Sequence, residues 1–389
     1  MKRVARAAAF AALMMSASMA GAADFPQPLP EEPVPSVAEL PESYPDSWVF
    51  VHDFHGNSLI DARGVIVDVA AENNNVRGQI PISHFGSITP SPTRAEIYVG
   101  ETFYSRQTRG ERTDVITVWD TKTLTPKGEI VLPGGKRGQF VTLVNSLQLT
   151  NDDKWAMIFN FTPGSSVTVV DLDSRAIVSD VDLPGCSLIY PTGVRGFASL
   201  CADGTMTSIA LDAQGKPGAT VTSEAFNDID KDPLFMTPAM VGRTGWFVSF
   251  KGNLRAIDFT GEAAKVLGSF PIPAQAGGTP EWRPGGWQVI SADRAGLLYV
   301  LMNPKGAEGS HKDGGTETWV IDPVAKTLVR RIALKNHSIS IEATQQAKPL
   351  LVASRPDGSL DVYDAATGTF VRTIASVAHT PMTMTAVRR

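Results

Sequence analysis

After Trp48 the chain falls into short runs in which apolar and polar residues alternate, each run closing on an aspartate followed by a polar turn. The runs are Val65–Asp68, Ile116–Asp120, Val167–Asp171, Thr207–Asp212, Leu254–Asp258, Thr318–Asp322 and Leu360–Asp364, and their aspartates stand 41 to 64 residues apart. Alternation with a period of two places successive side chains on opposite faces of a strand. The closing aspartate suits a hairpin, because its carboxylate can accept main-chain N–H groups of the turn, and Gly368 is placed to take a left-handed turn position. Further strand candidates, such as Ala95–Val99 and Trp155–Phe159, lie between these runs, and no long amphipathic helical period is present. A repeat of roughly 40–50 residues is the size of a four-stranded propeller blade. Seven copies predict an all-β fold, a seven-bladed β-propeller over residues 48–389; a β-sandwich would not account for the repetition. The longest interval carries extra sequence at Ala274–Trp282 and Asn303–Gly315. Such insertions are expected as loops on one rim, where function gathers.

The region before the repeats differs in kind. Lys2, Arg3 and Arg6 precede the small and apolar stretch Ala7–Ala20, and Ala20-Gly21-Ala22 matches a signal-peptidase site. Residues 1–22 are therefore expected to be a Sec signal peptide, and the protein is expected in the periplasm. Residues 23–47, with Pro26, Pro28, Pro30, Pro33, Pro35, Pro41 and Pro45, read as a proline-rich N-terminal arm that cannot be helix or central strand. A net charge of -5 gives no basic patch for nucleic acid or an anionic membrane, and no later stretch is apolar enough to span a bilayer. Cys186 and Cys201 are an even pair in an exported chain, which predicts a disulfide.

Signatures of autonomous catalysis are missing: no nucleophile elbow, phosphate-binding loop or zinc-binding helix motif occurs. Asp228, Asp230 and Asp232 imitate the start of a calcium loop, but Pro233 and Ala239 stand where glycine and glutamate are required, so a solvated acidic turn is expected. No metal site is predicted. Two segments stand outside the repeat. Phe103–Asp114 interleaves Phe103 and Tyr104 with Arg106, Arg109 and Arg112, and Trp282-Arg283-Pro-Gly-Gly-Trp287-Gln288 brackets a tight turn with two large rings. Arginine and aromatic side chains suit a protein interface, whereas the same rings would equally pack a blade corner. Trp119 and Trp319, one residue or more before the repeat aspartate, are expected in inter-blade packing.

At these segments the sequence resembles the heavy chains of the tryptophan tryptophylquinone amine dehydrogenases. The likeness runs from about residue 48 to the C-terminus and rests on Arg109–Asp114 leading into Val118–Asp120, Trp282–Gln288, Gly309–Lys312, Lys348–Leu351 and the spacing of the cysteine pair. It implies a complex of two heavy and two small light subunits, with the tryptophan tryptophylquinone on the light subunit and no catalytic residue on this chain. Primary amines would be oxidised to aldehyde and ammonia, and electrons would pass to a blue copper protein of azurin or amicyanin type. The subunit-interface candidates are Arg106, Arg109, Arg112, Trp282, Arg283, Trp287, His311 and Lys312. The family's channel-mouth phenylalanine falls within Val51–Ser58, where Phe54 is the nearest aromatic although its spacing departs from the family pattern; Phe103 and Tyr104 are the alternatives. Lys231–Phe235 and Met302–Lys312 look closer to the aralkylamine branch, and Trp282–Gln288 to the methylamine branch. The competing readings are a methylamine-specific heavy chain, a stand-alone exported propeller lactonase, and a plain binding propeller.

Overall fold

The computed structural model describes residues 39–140, 143–272 and 281–387. The expected signal peptide, the arm as far as residue 38 and most of the insertion beginning at Ala274 lie outside the described residues. The described chain forms seven antiparallel sheets, which are the predicted blades. Each repeat seen in the sequence is the third strand of its blade. All seven terminal aspartates cap the turn to the outermost strand. The Asp68 carboxylate accepts from the Ala70 N–H, Asp120 from Lys122 and Thr123, and Asp171 from Asp173 and Ser174. Asp212 accepts from Gln214 and Lys216, Asp258 from Thr260, Asp322 from Val324 and Ala325, and Asp364 from Thr367. Main-chain hydrogen bonds, from Ser174 and Thr367 respectively, hold the Asp171 and Asp364 carboxyls below the usual carboxylate range.

The pattern along the chain did not reveal how the ring closes. Blade 1 is built from Trp48–Asp53, Ala62–Asp68 and Val76–Ile82, and its innermost strand is the C-terminal segment Pro381–Ala386. Val49 pairs with Ala386 and Val51 with Met384, so the two ends of the propeller share one sheet. Period-two alternation sorts the core between neighbours. Trp48, Phe50 and Ile66 pack toward Ile97, Val99 and Trp119 of blade 2, while Val49, Val51, Val65 and Val67 pack toward Val352, Leu360 and Val362 of blade 7. Trp119 and Trp319 are buried between blades, as expected. Cys186 and Cys201 form the predicted disulfide, joining the first two strands of blade 4, where they are direct cross-strand partners.

The described end of the arm is anchored by one buried side chain, Tyr44, while Glu39, Pro41, Glu42 and Ser43 are exposed. The Tyr44 ring lies 5.0 Å from Trp48 and 5.8 Å from Phe50, and its hydroxyl donates to the Thr121 carbonyl at 2.5 Å. The acidic turn is only partly solvent-facing. Asp228 and Asp230 are exposed, but the Asp232 carboxylate accepts from Ser249 Oγ, Lys251 N and Asn253 Nδ2 and ties two loops of blade 5 together. The topology gives the propeller two rims. One carries the aspartate-capped turns and the first-to-second-strand turns. The other carries the second-to-third-strand loops and the connections between blades, and it holds Phe103–Asp114, Trp282–Gln288 and Gly309–Lys312, whereas Lys348–Leu351 begins in the first-to-second-strand turn of blade 7 on the opposite rim.

Candidate functional site: the aromatic rim of blades 1 to 3

The most elaborate part of this second rim is the long hairpin of blade 2, Glu96–Arg106 with Arg109–Asp120. Phe103 pairs with Thr113, Tyr104 with Arg112 and Arg106 with Arg109, so the ribbon continues past the buried blade into solvent. Gln107, at φ 63°, and Gly110, at φ 101°, supply the left-handed positions its tight turn needs. Beneath the hairpin lies a buried charge network. The Arg112 guanidinium clasps both oxygens of Asp114 at 2.9 Å and donates to the Arg137 carbonyl at 2.7 Å. Arg137, 4% exposed, donates to Thr102 Oγ1 at 2.7 Å and to the Phe85 carbonyl at 2.6 Å. Glu101 accepts from Ser83 N and Thr117 Oγ1, both at 2.6 Å. Burial pushes the Arg137 guanidinium down to about 10 against the opposing pull of Asp114 and Glu101, so it stays charged at neutral pH. Burial pushes the Glu101 carboxyl up.

Above this network the aromatic side chains gather. Phe54 packs on Phe85 with ring centroids 5.6 Å apart, and Phe85 itself sits at φ 49°, a left-handed conformation uncommon for a bulky residue. The Arg137 bond to its carbonyl helps hold it there. Tyr104 donates its hydroxyl to Gln139 Oε1 at 2.8 Å and meets the His84 ring edge-on at 5.2 Å. Phe140 and Phe161 lie 5.8 Å apart, with Phe161 60% exposed and Phe103 41% exposed. The blade 1 loop bearing Phe54 is anchored by Asp53, whose buried carboxylate accepts the N–H groups of His55, His379 and Thr380 at 3.0, 2.9 and 2.8 Å. Burial pushes this carboxyl up, but the hydrogen bonds led by His379 outweigh it and hold it below its ordinary value. His55 and His379 stack at 4.1 Å over the anchor.

The sequence-predicted residues thus separate into two groups on one rim. Phe54, Phe103, Tyr104, Arg106, Arg109 and Arg112 belong to blades 1 and 2, with Arg106 and Arg109 exposed. Trp282, Arg283, Trp287, His311 and Lys312 belong to blade 6. There Trp282 is built into the packing of blades 5 and 6, 5.4 Å from Trp319, with Arg331 lying 4.7 Å and 4.8 Å over the two rings. Arg283 covers Phe250 at 4.9 Å, Phe250 meets His311 at 6.1 Å, and Lys312 reaches over Trp287 at 5.9 Å. Gln288, the last residue of the tryptophan segment, is buried. It donates to the Ile341 carbonyl and Glu342, and accepts from Met384 N, joining blade 6 to blades 7 and 1. Sequence reasoning passed over Phe85, Arg137, Phe140 and Phe161, which lie singly in irregular connections without a periodic signal. Among the described residues no three His, Cys, Asp or Glu side chains come together to hold a metal ion, and no helix is long and apolar enough to cross a membrane.

Fold and site define a seven-bladed propeller that presents a rigidly supported aromatic rim. Similar solved propellers include dihydro-heme d1 dehydrogenase NirN, with 16% identity, a TM-score of 0.51 and coverage of 93% of this chain and 79% of that one. A protein assigned as a 6-phosphogluconolactonase from Bacteroides fragilis matches with 12% identity, a TM-score of 0.59 and coverage of 91% and 99%. At these identities the likeness concerns the fold alone. Sequence comparison goes further. The profile of the methylamine dehydrogenase heavy chain (MADH) family matches residues 49–388. The methylamine dehydrogenase heavy chain of Paracoccus versutus is 31% identical over 308 residues, covering 77% of this chain and 71% of that protein. That of Methylophilus methylotrophus is 27% identical over 385 residues, covering 95% and 92%. The chain belongs to the methylamine dehydrogenase heavy chain family.

Proposed function

We propose that this chain is the periplasmic heavy subunit of a quinone-dependent amine dehydrogenase, and that it docks a small light subunit on the rim of blades 1 to 3. The observation that carries the reading is the run of solvent-facing aromatics, Phe103, Phe140 and Phe161, set on a buried charge network rather than on a loose loop. Aromatic anchors flanked by arginine are the side chains that protein interfaces favour, and a rigid support lowers the ordering cost of association. Arg106 and Arg109 give the hairpin tip a positive end for an acidic patch on the partner. The tryptophan tryptophylquinone belongs to the light subunit, where it supplies the electron sink for amine oxidation. The tryptophans Trp48, Trp119, Trp155 and Trp319 of this chain are buried in blade packing, a setting for structural rather than redox service. Phe54 against Phe85 forms an apolar wall suited to facing a substrate passage and excluding water from it.

The overall reaction takes a primary amine and water to aldehyde, ammonia, two protons and two electrons. The electrons leave to a blue copper protein of azurin or amicyanin type, and the working unit is two heavy and two light subunits. The relatives are methylamine dehydrogenase heavy chains, while Lys231–Phe235 and Met302–Lys312 resemble the aralkylamine branch, so a substrate panel discriminates the two. The test is isolation of the complex from its own periplasm, with native mass, absorption spectrum and turnover of methylamine and benzylamine measured together. Amine oxidation only in a complex with a small coloured subunit is expected. Turnover by this chain alone, or a colourless monomer, would overturn the reading.

A further inference from the structure

Each blade ends on an outer strand whose far edge has no partner in the fold. These strands are Val76–Ile82, Pro126–Val131, Ala176–Asp182, Pro217–Thr222, Lys265–Pro271, Thr327–Ser338 and Phe370–Ile374. Such edges offer N–H and C=O groups to any further strand, and charged side chains are a common guard against that pairing. Every outer strand but one carries a charged residue, among them Arg77, Lys127, Asp180, Lys265, Arg330 and Arg372. Pro217–Thr222 of blade 4 reads Pro-Gly-Ala-Thr-Val-Thr and carries none.

The same strand is also the one its neighbour leaves uncovered. At the other joints the adjoining blade reaches the outer strand. A side chain at Gly78 would collide with Leu124 of blade 2, Arg175 of blade 3 donates to the Lys127 carbonyl at 3.2 Å, and Lys216 of blade 4 donates to the Val178 carbonyl. Lys326 of blade 6 lies 5.6 Å over Phe270, Gly368 of blade 7 packs on Ile332, and Arg372 donates to the Ala70 carbonyl of blade 1 at 3.0 Å. Blade 5 docks differently: its Ala264 N–H donates at 2.9 Å to Ser208 Oγ, on the third strand of blade 4. Every residue of Pro217–Thr222 is exposed, which holds for no other outer strand. Ser223 donates its N–H to the Met206 carbonyl at 2.9 Å. By alternation the main chain of Val221 then faces the blade, while Thr220 and Thr222 turn their N–H and C=O groups outward.

We propose that two copies of the chain meet at this edge, blade 4 against blade 4, their Pro217–Thr222 strands antiparallel about a two-fold axis at Thr220. Threonine and valine favour strands, and an uncharged edge meets its own copy without like-charge repulsion. The flanks are complementary. Residues 216 and 224 are equally far from Thr220, so this register brings Lys216 of each copy alongside Glu224 of the other, and both are exposed. The bulge between Pro217 and Thr220 shortens that end by one residue, which a lysine side chain spans. The Lys216 ammonium has donors beyond the one given to Val178. The edge shares no residue with the aromatic rim and does not depend on it.

Sedimentation equilibrium of the full chain, purified free of any light subunit, tests this. A monomer–dimer equilibrium with a Kd below about 100 µM is expected, weak because an edge contact is small. Lys216→Glu and Glu224→Lys should each weaken the dimer by at least about tenfold, and the two together should restore it to within about threefold of the parent chain. A second measurement does not need the swaps. Cys186 and Cys201 are paired, so Thr220→Cys supplies the one free thiol. It should form a disulfide-linked dimer at least about tenfold faster than Val371→Cys, on the outer strand of blade 7. A chain that stays monomeric at about 1 mM would leave the edge to a foreign strand and overturn the proposal. Affinity unmoved by the single swaps, no recovery in the double swap, or equal crosslinking of the two thiols would overturn it as well. Because no light subunit is present, failure here leaves the amine dehydrogenase reading untouched, and failure of that reading leaves this result standing.

Discussion

Lowering the pH through the histidine range should destabilise this propeller through His52. The residue sits in the second strand of blade 1, opposite Gly64 on one side and Thr383 of the closing strand on the other, and is 3% exposed. Burial pushes its imidazole from 6.5 down to about 4, with the neighbouring Asp53 only partly opposing the shift. Between those values the unfolded chain binds a proton that the folded chain refuses, so stability is full above about pH 6.5 and falls as pH drops toward 4. A shift of this size corresponds to about 3 kcal/mol at the acid end of the window. The assay is denaturant unfolding of the chain at intervals from about pH 7.5 to 4.5, comparing wild type with His52→Gln, which cannot titrate. His84, also lowered by burial, contributes in the same direction, and Glu101, raised by burial, contributes in the opposite one. Both remain in the variant, so the difference between the two curves isolates His52. The difference should grow steadily below pH 6.5. Parallel curves would refute the reasoning, because they would mean that the buried ring is protonated or hydrated in the native state.

Other outcomes follow from the same structure. Arg137→Met removes the cation nearest the buried Glu101 and the hydrogen bonds to Thr102 and the Phe85 carbonyl, while Arg112 still pairs with Asp114, and should cost about 3 kcal/mol in chemical unfolding. Replacing Cys186 and Cys201 by serine releases a crosslink spanning 15 residues and should lower stability by about 3 kcal/mol, measured under oxidising conditions. Phe161→Ser, at a side chain 60% exposed, should leave the melting temperature of the isolated chain unchanged and weaken light-subunit binding by about tenfold, read by titration. An unchanged affinity would remove Phe161 from the docking face.

The seven aspartate-capped runs were legible because alternation and turn chemistry are local, and every copy obeys the same rule. The disulfide was legible because the chain has two cysteines, which leave one pairing. The blade 2 hairpin also stood out, since a blade loop has no need of that density of arginine and aromatic residues. The Trp282–Gln288 segment was legible only as unusual. Whether its rings pack or protrude depends on Trp319 and Arg331, which approach from other strands of the blade.

The sequence by itself therefore determined the number of blades, the third strand of each, its turn and the crosslink, because each depends on spacing along a few neighbouring residues. Tertiary structure decided the rest. Only closure of the ring brings Pro381–Ala386 against Trp48–Asp53, and only that closure places His379 on His55 and Glu342 beside Ala386. Arg137 beneath Phe85 is likewise assembled from different inter-blade connections. Contacts of that kind carry no period, since strands meet across blades according to the curvature of the whole ring rather than any pattern in one segment.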